Sequence, residues 1–308
     1  MKIYEKLKII KGITGFTQGK IAQEVGVSFA TVNSWINERS LPHKRHQKKI
    51  NNLFYKHTGI KKTDQDSLTV KNRFLRDRIK QYRDIISLIK NNSDLYDEFV
   101  LSLTYNSNSI EGSTLTKEET ADILFENLTL SNKDLKEHFE AKNHQLALKY
   151  LFEQISYRFK ISESFILKLH EILMRGILED AGQYRNHAIR IVGVNIPTTN
   201  FLKVPLLMKQ LIKGANKKSK NVIKHIAEVH SRFEKIHPFS DGNGRIGRIL
   251  IQTMLLREKY PPAVIEQKKK RFYYKYLNLS QRQLEFEPLE EFICDSILVG
   301  LRIITQRN

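Results

Sequence analysis

The sequence contains a single cysteine, Cys294, which excludes a fold held together by internal disulfide bonds and is typical of a reducing compartment. Cys294 lies within the apolar pattern PLEEFICDSILVGL, which indicates a packed core thiol rather than a nucleophile. The chain also lacks an uninterrupted apolar run of about 18 residues. Its N-terminus, MKIYEKLKIIKG, lacks the apolar stretch of a signal peptide. We therefore expect a cytoplasmic protein that has no membrane partner.

Acidic residues are scarce relative to basic ones. Lys and Arg number 52 against 33 Asp and Glu, which gives a formal net charge of +19 over 308 residues. The excess is densest in the first 60 residues, which hold 11 basic and 3 acidic side chains. This balance favours nucleic acid or nucleotide phosphates as partners, although a basic surface that only keeps the protein soluble would have the same composition.

The apolar residues recur with helical spacing almost everywhere, so the expected fold class is all-α. The polar stretch from His57 to Ser67 is the best candidate for a domain boundary. After it, Val70–Lys90 has the pattern of one charged amphipathic helix. The sequence thus predicts three regions: a small helical domain over residues 1–60, a linker with an amphipathic helix over residues 61–92, and a larger helical domain over residues 93–308. Only Ala188–Val204 has a strand-like pattern, which predicts a lone β-hairpin.

Residues 18–37, QGKIAQEVGVSFATVNSWIN, have the pattern of two short helices joined at a turn. Gly26 permits the tight turn, and Ser28 can cap the second helix. The segment resembles the helix-turn-helix of the phage-repressor (Cro/CI-like) family over roughly residues 4–55, which implies DNA binding through residues 1–60. The resemblance implies base contacts near Phe29, Ala30, Thr31 and Asn33, and phosphate contacts near Lys20, Lys44, Arg45, Lys48 and Lys49. A small helical bundle used for protein contacts remains the alternative.

Residues 237–248 read HPFSDGNGRIGR and include the pattern G-x-G-x-x-G. A dinucleotide-binding fold would need a strand before the first glycine and a βαβ unit around it. The preceding residues, NVIKHIAEVHSRFEKI, instead have apolar positions at helical spacing. The dinucleotide interpretation therefore fails, and the Walker-A pattern is absent as well.

The same stretch combines groups that suit a polyphosphate. Gly242 and Gly244 let backbone N–H groups approach an anion, and they lead into a helix whose N-terminus would face the same anion. Arg245 and Arg248, three positions apart, add charge and forked donors. Asp241 supplies a hard oxygen for Mg²⁺, and the histidine that opens the stretch titrates near neutrality. The set predicts phosphoryl or nucleotidyl transfer from a nucleoside triphosphate.

HPFSDGNGRIGR resembles the signature of Fic-domain proteins, HPFx(D/E)GNGRxxR, and the resemblance covers roughly residues 95–308. It implies a Fic-type helical bundle with one β-hairpin flap, and transfer of AMP from ATP to a Ser, Thr or Tyr hydroxyl of a target protein or of the protein itself. The implied site residues are His237 as the base, Asp241 for Mg²⁺, Asn243 with the Gly242 and Gly244 amides at the α-phosphate, and Arg245 and Arg248 at the outer phosphates. The hairpin over Ile189–Val204 resembles the flap that docks a target segment, with Ile189, Ile191, Val192 and Val194 along it.

Residues 107–112, SNSIEG, follow the pattern of a helix that spans about residues 94–111 and stops at Gly112. Glu111 would then lie at the negative end of its own helix, where a nearby cation such as Arg248 would stabilise it. The stretch resembles the Fic inhibitory motif (S/T)xxxE(G/N), through Ser107, Glu111 and Gly112. The resemblance implies that Glu111 pairs with Arg248 and blocks the productive position of the γ-phosphate.

The sequence thus predicts a self-inhibited protein adenylyltransferase coupled to a DNA-binding module. One alternative is a DNA-binding transcriptional regulator whose Fic domain senses nucleotides. Another is a Fic enzyme that removes AMP, with Glu111 positioning water, or that uses a different nucleotide. A homo-oligomer stays open, because nothing in the sequence addresses it.

Overall fold

The computed structural model describes residues 2–58, 67–189 and 199–307, and within these ranges it contains helices and no strand. The chain divides into two compact units, Met1–Tyr82 and Arg83–Asn308. The hairpin expected over residues 188–204 falls largely on residues 190–198, outside the described ranges, and there it stays a prediction. Its expected end is wrong, because Phe201–Lys203 form a 3₁₀ turn and Val204 begins a helix. None of the described helices is long and apolar enough to span a lipid bilayer.

The first unit consists of short helices packed around α1. Its helices are α1 (Ile3–Thr14), α2 (Gln18–Val25), α3 (Phe29–Ile36), α4 (Lys44–Thr58) and α5 (Ser67–Ile79). Leu7 and Ile10 of α1 are fully buried, together with Ile50 and Phe54 of α4. These residues recur at helical spacing, so each helix buries one apolar face and leaves its charged face to solvent.

The turn between α2 and α3 forms as the sequence predicts. Gly26 adopts a left-handed conformation with φ of 76°, and its N–H bonds to the Ala22 carbonyl. Ser28 then caps α3 by accepting a hydrogen bond from the Thr31 N–H. A glycine is favoured at this position because a side chain would strain the left-handed backbone.

The single helix expected over Val70–Lys90 is wrong. The structure instead has α5, which ends at Ile79, and a separate helix α6 (Ile85–Lys90) in the second unit. Asp84 begins α6, because its side chain accepts hydrogen bonds from the backbone N–H and the hydroxyl of Ser87. The N-cap bond of Asp84 favours the start of a new helix at this position, which the apolar periodicity did not indicate.

The second unit is a larger helical bundle. After α6 it contains α7 (Ser93–Glu111), α8 (Lys117–Phe125), α9 (Leu135–Gln154), α10 (Glu163–Met174), α11 (Val204–Ala215), α12 (Val222–Ile236), α13 (Asn243–Arg257), α14 (Lys270–Gln283) and α15 (Glu287–Arg307). Short 3₁₀ turns at Phe201–Lys203 and Gln267–Lys269 precede α11 and α14.

Helix α13 forms the centre of this bundle. It packs against α7, α9, α10 and α12, and nearly all of its side chains are buried. A helix that is buried on every side shows little amphipathic periodicity, and α13 accordingly mixes apolar residues with buried Arg245 and Arg248. Buried arginines require partners, so the surroundings of these two side chains locate the candidate site.

Candidate active site

His237 ends helix α12 and faces the start of α13. Its backbone is left-handed, with φ of 50° and ψ of 65°, which is uncommon for a residue other than glycine. The imidazole Nδ1 lies 3.2 Å from the Glu234 carbonyl oxygen and must donate to it, because a carbonyl only accepts. This bond leaves Nε2 as the nitrogen with a lone pair. Burial lowers the pKa of His237, so the imidazole is neutral at pH 7 and can accept a proton.

The loop after His237 delivers the chain to the N-terminus of α13. Gly242 takes a left-handed conformation with φ of 78° and occupies the N-cap position without a side chain that could cap the helix. The backbone N–H groups of the first turn are therefore available to an anion. A side chain at Gly242 would also collide with the sulfur of Met174 on α10, so the loop packs closely against that helix.

The Asn243 side chain bonds within its own loop. Its Oδ1 accepts the Phe239 N–H at 2.9 Å, and its Nδ2 donates to the Phe239 carbonyl at 2.8 Å. The side chain is buried, and both of its polar atoms are used inside the loop. Asn243 thus closes the loop on itself, and only its backbone N–H faces the anion site.

The Arg245 guanidinium lies between two carboxylates. Its side chain is 2% exposed, and its Nη1 lies 3.0 Å from Glu140 Oε1 on α9. Its Nη2 lies 3.6 Å from Asp241 Oδ2. The guanidinium therefore bridges two carboxylates in this structure and orients Asp241. Glu140 belongs to no sequence motif, so its contact with Arg245 could not be predicted from the sequence.

Asp241 remains open to solvent, with 51% of its side chain exposed. One carboxylate oxygen accepts the Gly242 N–H at 2.6 Å, which fixes the side chain beside the α13 N-terminus. Among the described residues no group of three or more metal-ligating side chains occurs. A single hard carboxylate next to an anion site fits Mg²⁺, which binds through one or two carboxylates and substrate phosphates.

Arg248 is buried and bonds to α7. Its Nε donates to the Ser107 hydroxyl at 2.9 Å, and its Nη2 donates to the Ser107 carbonyl at 3.0 Å and to Glu111 Oε1 at 2.7 Å. Burial acts to lower the pKa of Arg248, but the Glu111 carboxylate outweighs it and the net shift is upward. The cation is therefore held firmly by the last two turns of α7.

The Glu111 carboxylate lies on the first turn of α13. A Cβ atom at Gly244 would overlap Glu111 Oε1, so the carboxylate approaches the backbone of this turn as closely as only a glycine allows. Helix α7 ends there because Gly112 is left-handed, with φ of 114°. Glu111 thus brings its negative charge to the positive end of α13 and to Arg248, where an anionic ligand would also bind.

Two further groups surround the site. The Glu234 side chain is buried beside Gly247, and its Oε1 has no hydrogen-bond partner within the described part of the chain. Burial raises the pKa of Glu234 to about 8, so the carboxyl is largely protonated at neutral pH. His230 packs against the same glycine and bonds to the Tyr273 hydroxyl at 2.7 Å. Both residues lie on the buried face of α12, where the sequence shows only ordinary helical periodicity.

His170 on α10 supports the loop from beneath. Its Nδ1 accepts the Gly182 N–H at 2.9 Å, and its Nε2 donates to the Asp241 carbonyl at 3.1 Å. The ring stacks on Phe239 with centroids 3.8 Å apart. Burial lowers the pKa of His170 to about 4, so it stays neutral while it connects these loops. No sequence motif includes His170, so its role beneath the loop could not be predicted from the sequence.

The residues expected to contact DNA lie at the start of α3 in the first unit. Phe29 is 57% exposed, and Ala30 is exposed beside it. Thr31 and Asn33 are half-buried and bond to neighbours on the same helix, Ser28 and Asn37. Helix α4 exposes five basic residues: Lys44, Arg45, Lys48, Lys49 and Lys56.

Two of the expected phosphate contacts are otherwise engaged. Lys49 donates to the Val25 carbonyl at 3.0 Å, so it satisfies the C-terminal end of α2. Lys20 pairs with Glu24 at 3.4 Å. Of the residues expected along the docking flap, only Ile189 lies within the described ranges, and Ile191, Val192 and Val194 lie outside them.

The fold is shared with solved structures of Fic-domain proteins. A Fic-domain signalling protein from Bacteroides thetaiotaomicron superposes with a TM-score of 0.67 over 77% of this chain and 97% of its own, at 24% identity. A Fic family protein from Desulfovibrio desulfuricans G20 gives a TM-score of 0.66 over 80% of this chain and 76% of its own, at 22% identity. At these identities the likeness establishes the helical Fic fold alone.

The family comparison agrees with the fold. Residues 160–255 match the family described as Fic/DOC. The protein adenylyltransferase Fic of Drosophila persimilis is 30% identical over 221 residues, which cover 69% of this chain and 43% of that protein. The corresponding protein of Drosophila erecta is 31% identical over 195 residues, covering 62% and 39%. The chain therefore contains a Fic domain homologous to protein adenylyltransferases, and spans less than half the length of these curated relatives.

Proposed function

We propose that this chain is a self-inhibited protein adenylyltransferase that transfers AMP from ATP to a hydroxyl of a target protein or of itself. The observation that carries the proposal is the meeting of four features at the start of α13. These are the neutral imidazole of His237, the exposed carboxylate of Asp241, the uncapped first turn of the helix and the buried cation of Arg248. The adenylyltransferase homologues support the same reaction.

In the proposed reaction the target hydroxyl oxygen attacks the α-phosphorus of ATP. A new P–O bond forms, the bond from the α-phosphorus to the bridging oxygen breaks, and pyrophosphate leaves with that electron pair. His237 Nε2 takes the hydroxyl proton, because Nδ1 is already committed as a donor to the Glu234 carbonyl. The N–H groups of the first turn of α13 hold the negative charge on the α-phosphate.

Asp241 would hold Mg²⁺, which neutralises phosphate charge when it is bound. Arg245 orients that carboxylate from the buried side, since it lies between Asp241 and Glu140. Arg248 is the cation that would bind the outermost phosphate. It can do so only after Glu111 leaves, because both anions need the same guanidinium edge. The Glu111 carboxylate is therefore the proposed inhibitory group, with Ser107 and Gly112 shaping the helix end that holds it.

The test compares the wild-type protein with Glu111→Gly and with the double variant Glu111→Gly/His237→Ala. Each is incubated with a cell lysate and ATP labelled in the α-phosphate, and in parallel with ATP labelled in the γ-phosphate. We expect Glu111→Gly to incorporate the α-label more than tenfold faster than wild type, and the double variant to incorporate none. Kinases of the lysate also incorporate the γ-label, so the variants are compared with one another. Glu111→Gly should incorporate no more γ-label than the double variant, because the γ-phosphate leaves with pyrophosphate.

Glu126 offers a matched control, since it is an exposed glutamate at the C-cap of α8. Glu126→Gly should label at the wild-type rate. Equal labelling of Glu111→Gly and wild type would show that Glu111 is not inhibitory. Absence of the α-label from every form would refute the transferase, and faster loss of AMP from a modified protein would favour the removal reaction.

We further propose that the first unit binds duplex DNA. The specific support is that α3 begins at a glycine turn with Phe29 and Ala30 exposed, while Lys44, Arg45 and Lys48 lie exposed on α4. A helix start presented in this way suits the major groove, and flanking cations suit the phosphate backbone.

The DNA proposal is tested by measuring duplex affinity as a function of salt concentration. Lys48→Ala should weaken binding to all duplexes and reduce the salt slope by about 1, because it removes one phosphate contact. Lys11→Ala removes an equal charge from an exposed position on α1 and serves as the control. A salt-independent affinity, or equal slopes for both variants, would contradict the assignment. If ATP changes the affinity while no protein becomes labelled, the nucleotide-sensing alternative gains support.

A further inference from the structure

Arg185 is a buried cation whose described partners are carbonyl oxygens. Only 2% of the residue is exposed. Its Nε donates to the His237 carbonyl at 2.7 Å, Nη1 to the His187 carbonyl at 2.8 Å, and Nη2 to the Thr199 carbonyl at 2.5 Å. Within the described part of the chain no carboxylate pairs with it. Burying a charged guanidinium without a carboxylate partner is unfavourable, so this arginine must serve a purpose other than pairing with a negative charge.

The carbonyls that Arg185 collects include those at the C-terminus of α12. The last carbonyls of a helix lack intrahelical partners, and this end of the helix is negative. Besides the His237 carbonyl, the guanidinium reaches the Ile236 carbonyl at 3.5 Å, and the Arg185 N–H donates to the Pro238 carbonyl at 3.0 Å. Arg185 thus caps α12 from a loop that lies about 50 positions earlier in the sequence.

Arg185 caps α12 at His237, whose left-handed backbone conformation is unfavourable for a residue other than glycine. A left-handed conformation strains a residue other than glycine and persists where its surroundings hold it. In His237 this conformation turns the carbonyl toward Arg185 and lets the imidazole Nδ1 reach the Glu234 carbonyl. Loss of the Arg185 contact would allow the His237 peptide to rotate and would move the imidazole with it.

We propose that Arg185 is a positioning residue for His237: its bonds to consecutive carbonyls at the end of α12 hold the His237 peptide left-handed and the imidazole in register with the α13 N-terminus. The inference rests on the proposed role of His237 as the base. Arg185 can act on His237 in two ways, through the hydrogen bonds of its forked guanidinium and through its positive charge.

The charge acts on the titration of His237. Burial lowers the pKa of His237, the bond to the Glu234 carbonyl raises it, and the Arg185 cation lowers it. The carboxylates of Glu111 and Asp241 act in the opposite direction. Removing the Arg185 charge should therefore raise the pKa of His237 and move the acid limb of the rate profile to higher pH. Keeping the charge but losing the fork should leave that limb in place.

Two variants of Arg185 test the proposal in the Glu111→Gly background, where the transferase is expected to be active. Arg185→Lys keeps the charge but has one nitrogen in place of the three that reach separate carbonyls, and Arg185→Gln loses both the charge and the fork. We expect each to lower kcat of α-label transfer at least tenfold, with KM for ATP changed less than about threefold, because the phosphate ligands are untouched. Only Arg185→Gln should shift the acid limb upward.

Arg257 supplies the matched control. It is another largely buried arginine that bonds to a helix-terminal carbonyl, that of Ala215 at 2.8 Å, and it also contacts Asn216. Arg257→Gln should retain kcat and the pH profile of the parent. Circular dichroism and thermal unfolding establish that every variant is folded, and NMR titration of the His237 imidazole measures its pKa without requiring activity.

The outcomes distinguish this inference from the proposed function. An active parent whose Arg185 variants keep full kcat, or whose His237 resonance titrates at the same pH in Arg185→Gln, would overturn the positioning role. An inactive parent would refute the transferase, while a raised His237 pKa in Arg185→Gln would still support the contact. If both Arg185 variants are unfolded and Arg257→Gln is folded, Arg185 serves the fold and the inference is wrong.

Discussion

Glu111 and Arg248 lie 137 positions apart in the sequence, and their side chains meet at 2.7 Å over the first turn of α13. The carboxylate stands where the positive end of a helix and a buried cation would otherwise attract a phosphate. The ion pair therefore stabilises the protein without nucleotide, and Glu111 competes with a phosphate group for Arg248. Four predictions follow from this pair and from the buried groups around it.

Glu111→Gly should destabilise the protein without nucleotide but increase its response to nucleotide. The buried Arg248 loses its carboxylate partner, which should lower the free energy of unfolding by about 1–3 kcal/mol. Binding of ATP would then replace that partner, and a ligand at 100 times its Kd adds about 2.7 kcal/mol. Thermal unfolding with and without ATP and Mg²⁺ measures both effects. An equal nucleotide-induced shift in wild type and variant would contradict the competition.

Asn243→Ala should unfold more easily because the loop loses both of its bonds to Phe239. Each bond lies in the interior, so we expect a total loss of about 2–4 kcal/mol in the free energy of unfolding. Urea denaturation measures this loss. If Asn243→Ala instead keeps wild-type stability but fails to bind ATP, the Asn243 side chain contacts the phosphate rather than stabilising the loop.

Glu234→Gln should stabilise the protein at alkaline pH. The pKa of Glu234 is about 8 in the folded protein, above its ordinary value of 4.5. Its contribution to stability is therefore present below pH 4.5 and is lost as the pH rises through 8. A glutamine stays neutral, so the variant should exceed wild type by about 4 kcal/mol near pH 8 and by about 1 kcal/mol or less near pH 5. Denaturant unfolding of both proteins at the two pH values measures this difference in the free energy of unfolding.

Mild acid should destabilise the protein through its buried histidines. Burial lowers the pKa of His144 and His230 to about 3 and that of His170 to about 4, below the ordinary value of 6.5. Because the unfolded chain takes up protons first, stability present above pH 6.5 is lost as the pH falls toward the folded values.

Each histidine contributes about 1.4 kcal/mol per pH unit, and Glu234 acts in the opposite direction between its two pKa values. We therefore expect a net loss of about 3 kcal/mol per pH unit between pH 6 and pH 5. His230→Gln should reduce this slope, and Glu234→Gln should increase it. A free energy of unfolding that is flat across this interval would show that the histidines are not kept neutral.

The helix ends were the most predictable part of the fold. Ser28 caps α3 and Gly112 ends α7, both as the local sequence indicates. Each of these contacts spans three to five residues, so the sequence alone contains both partners. The break before Asp84 was missed because the apolar pattern continues across it.

The roles inside the motif were less predictable. The sequence places Asn243 and Arg245 beside a phosphate site, whereas the structure directs one side chain into its own loop and the other toward Glu140. The direction of a side chain depends on the partners that surround it. Glu140 lies on α9, a hundred positions away, and carries no pattern of its own.

By itself, the sequence determined which chemical groups this protein carries and where several of its helices start and stop. His237, Asp241 and the glycines are close along the chain, so their spacing already implied an anion site at a helix N-terminus. Only the tertiary structure decided which distant groups complete that site. Arg185 caps α12, His170 supports the loop, and Glu140 on α9 pairs with Arg245. These contacts join separate helices, and packing of the core, rather than local periodicity, brings them together.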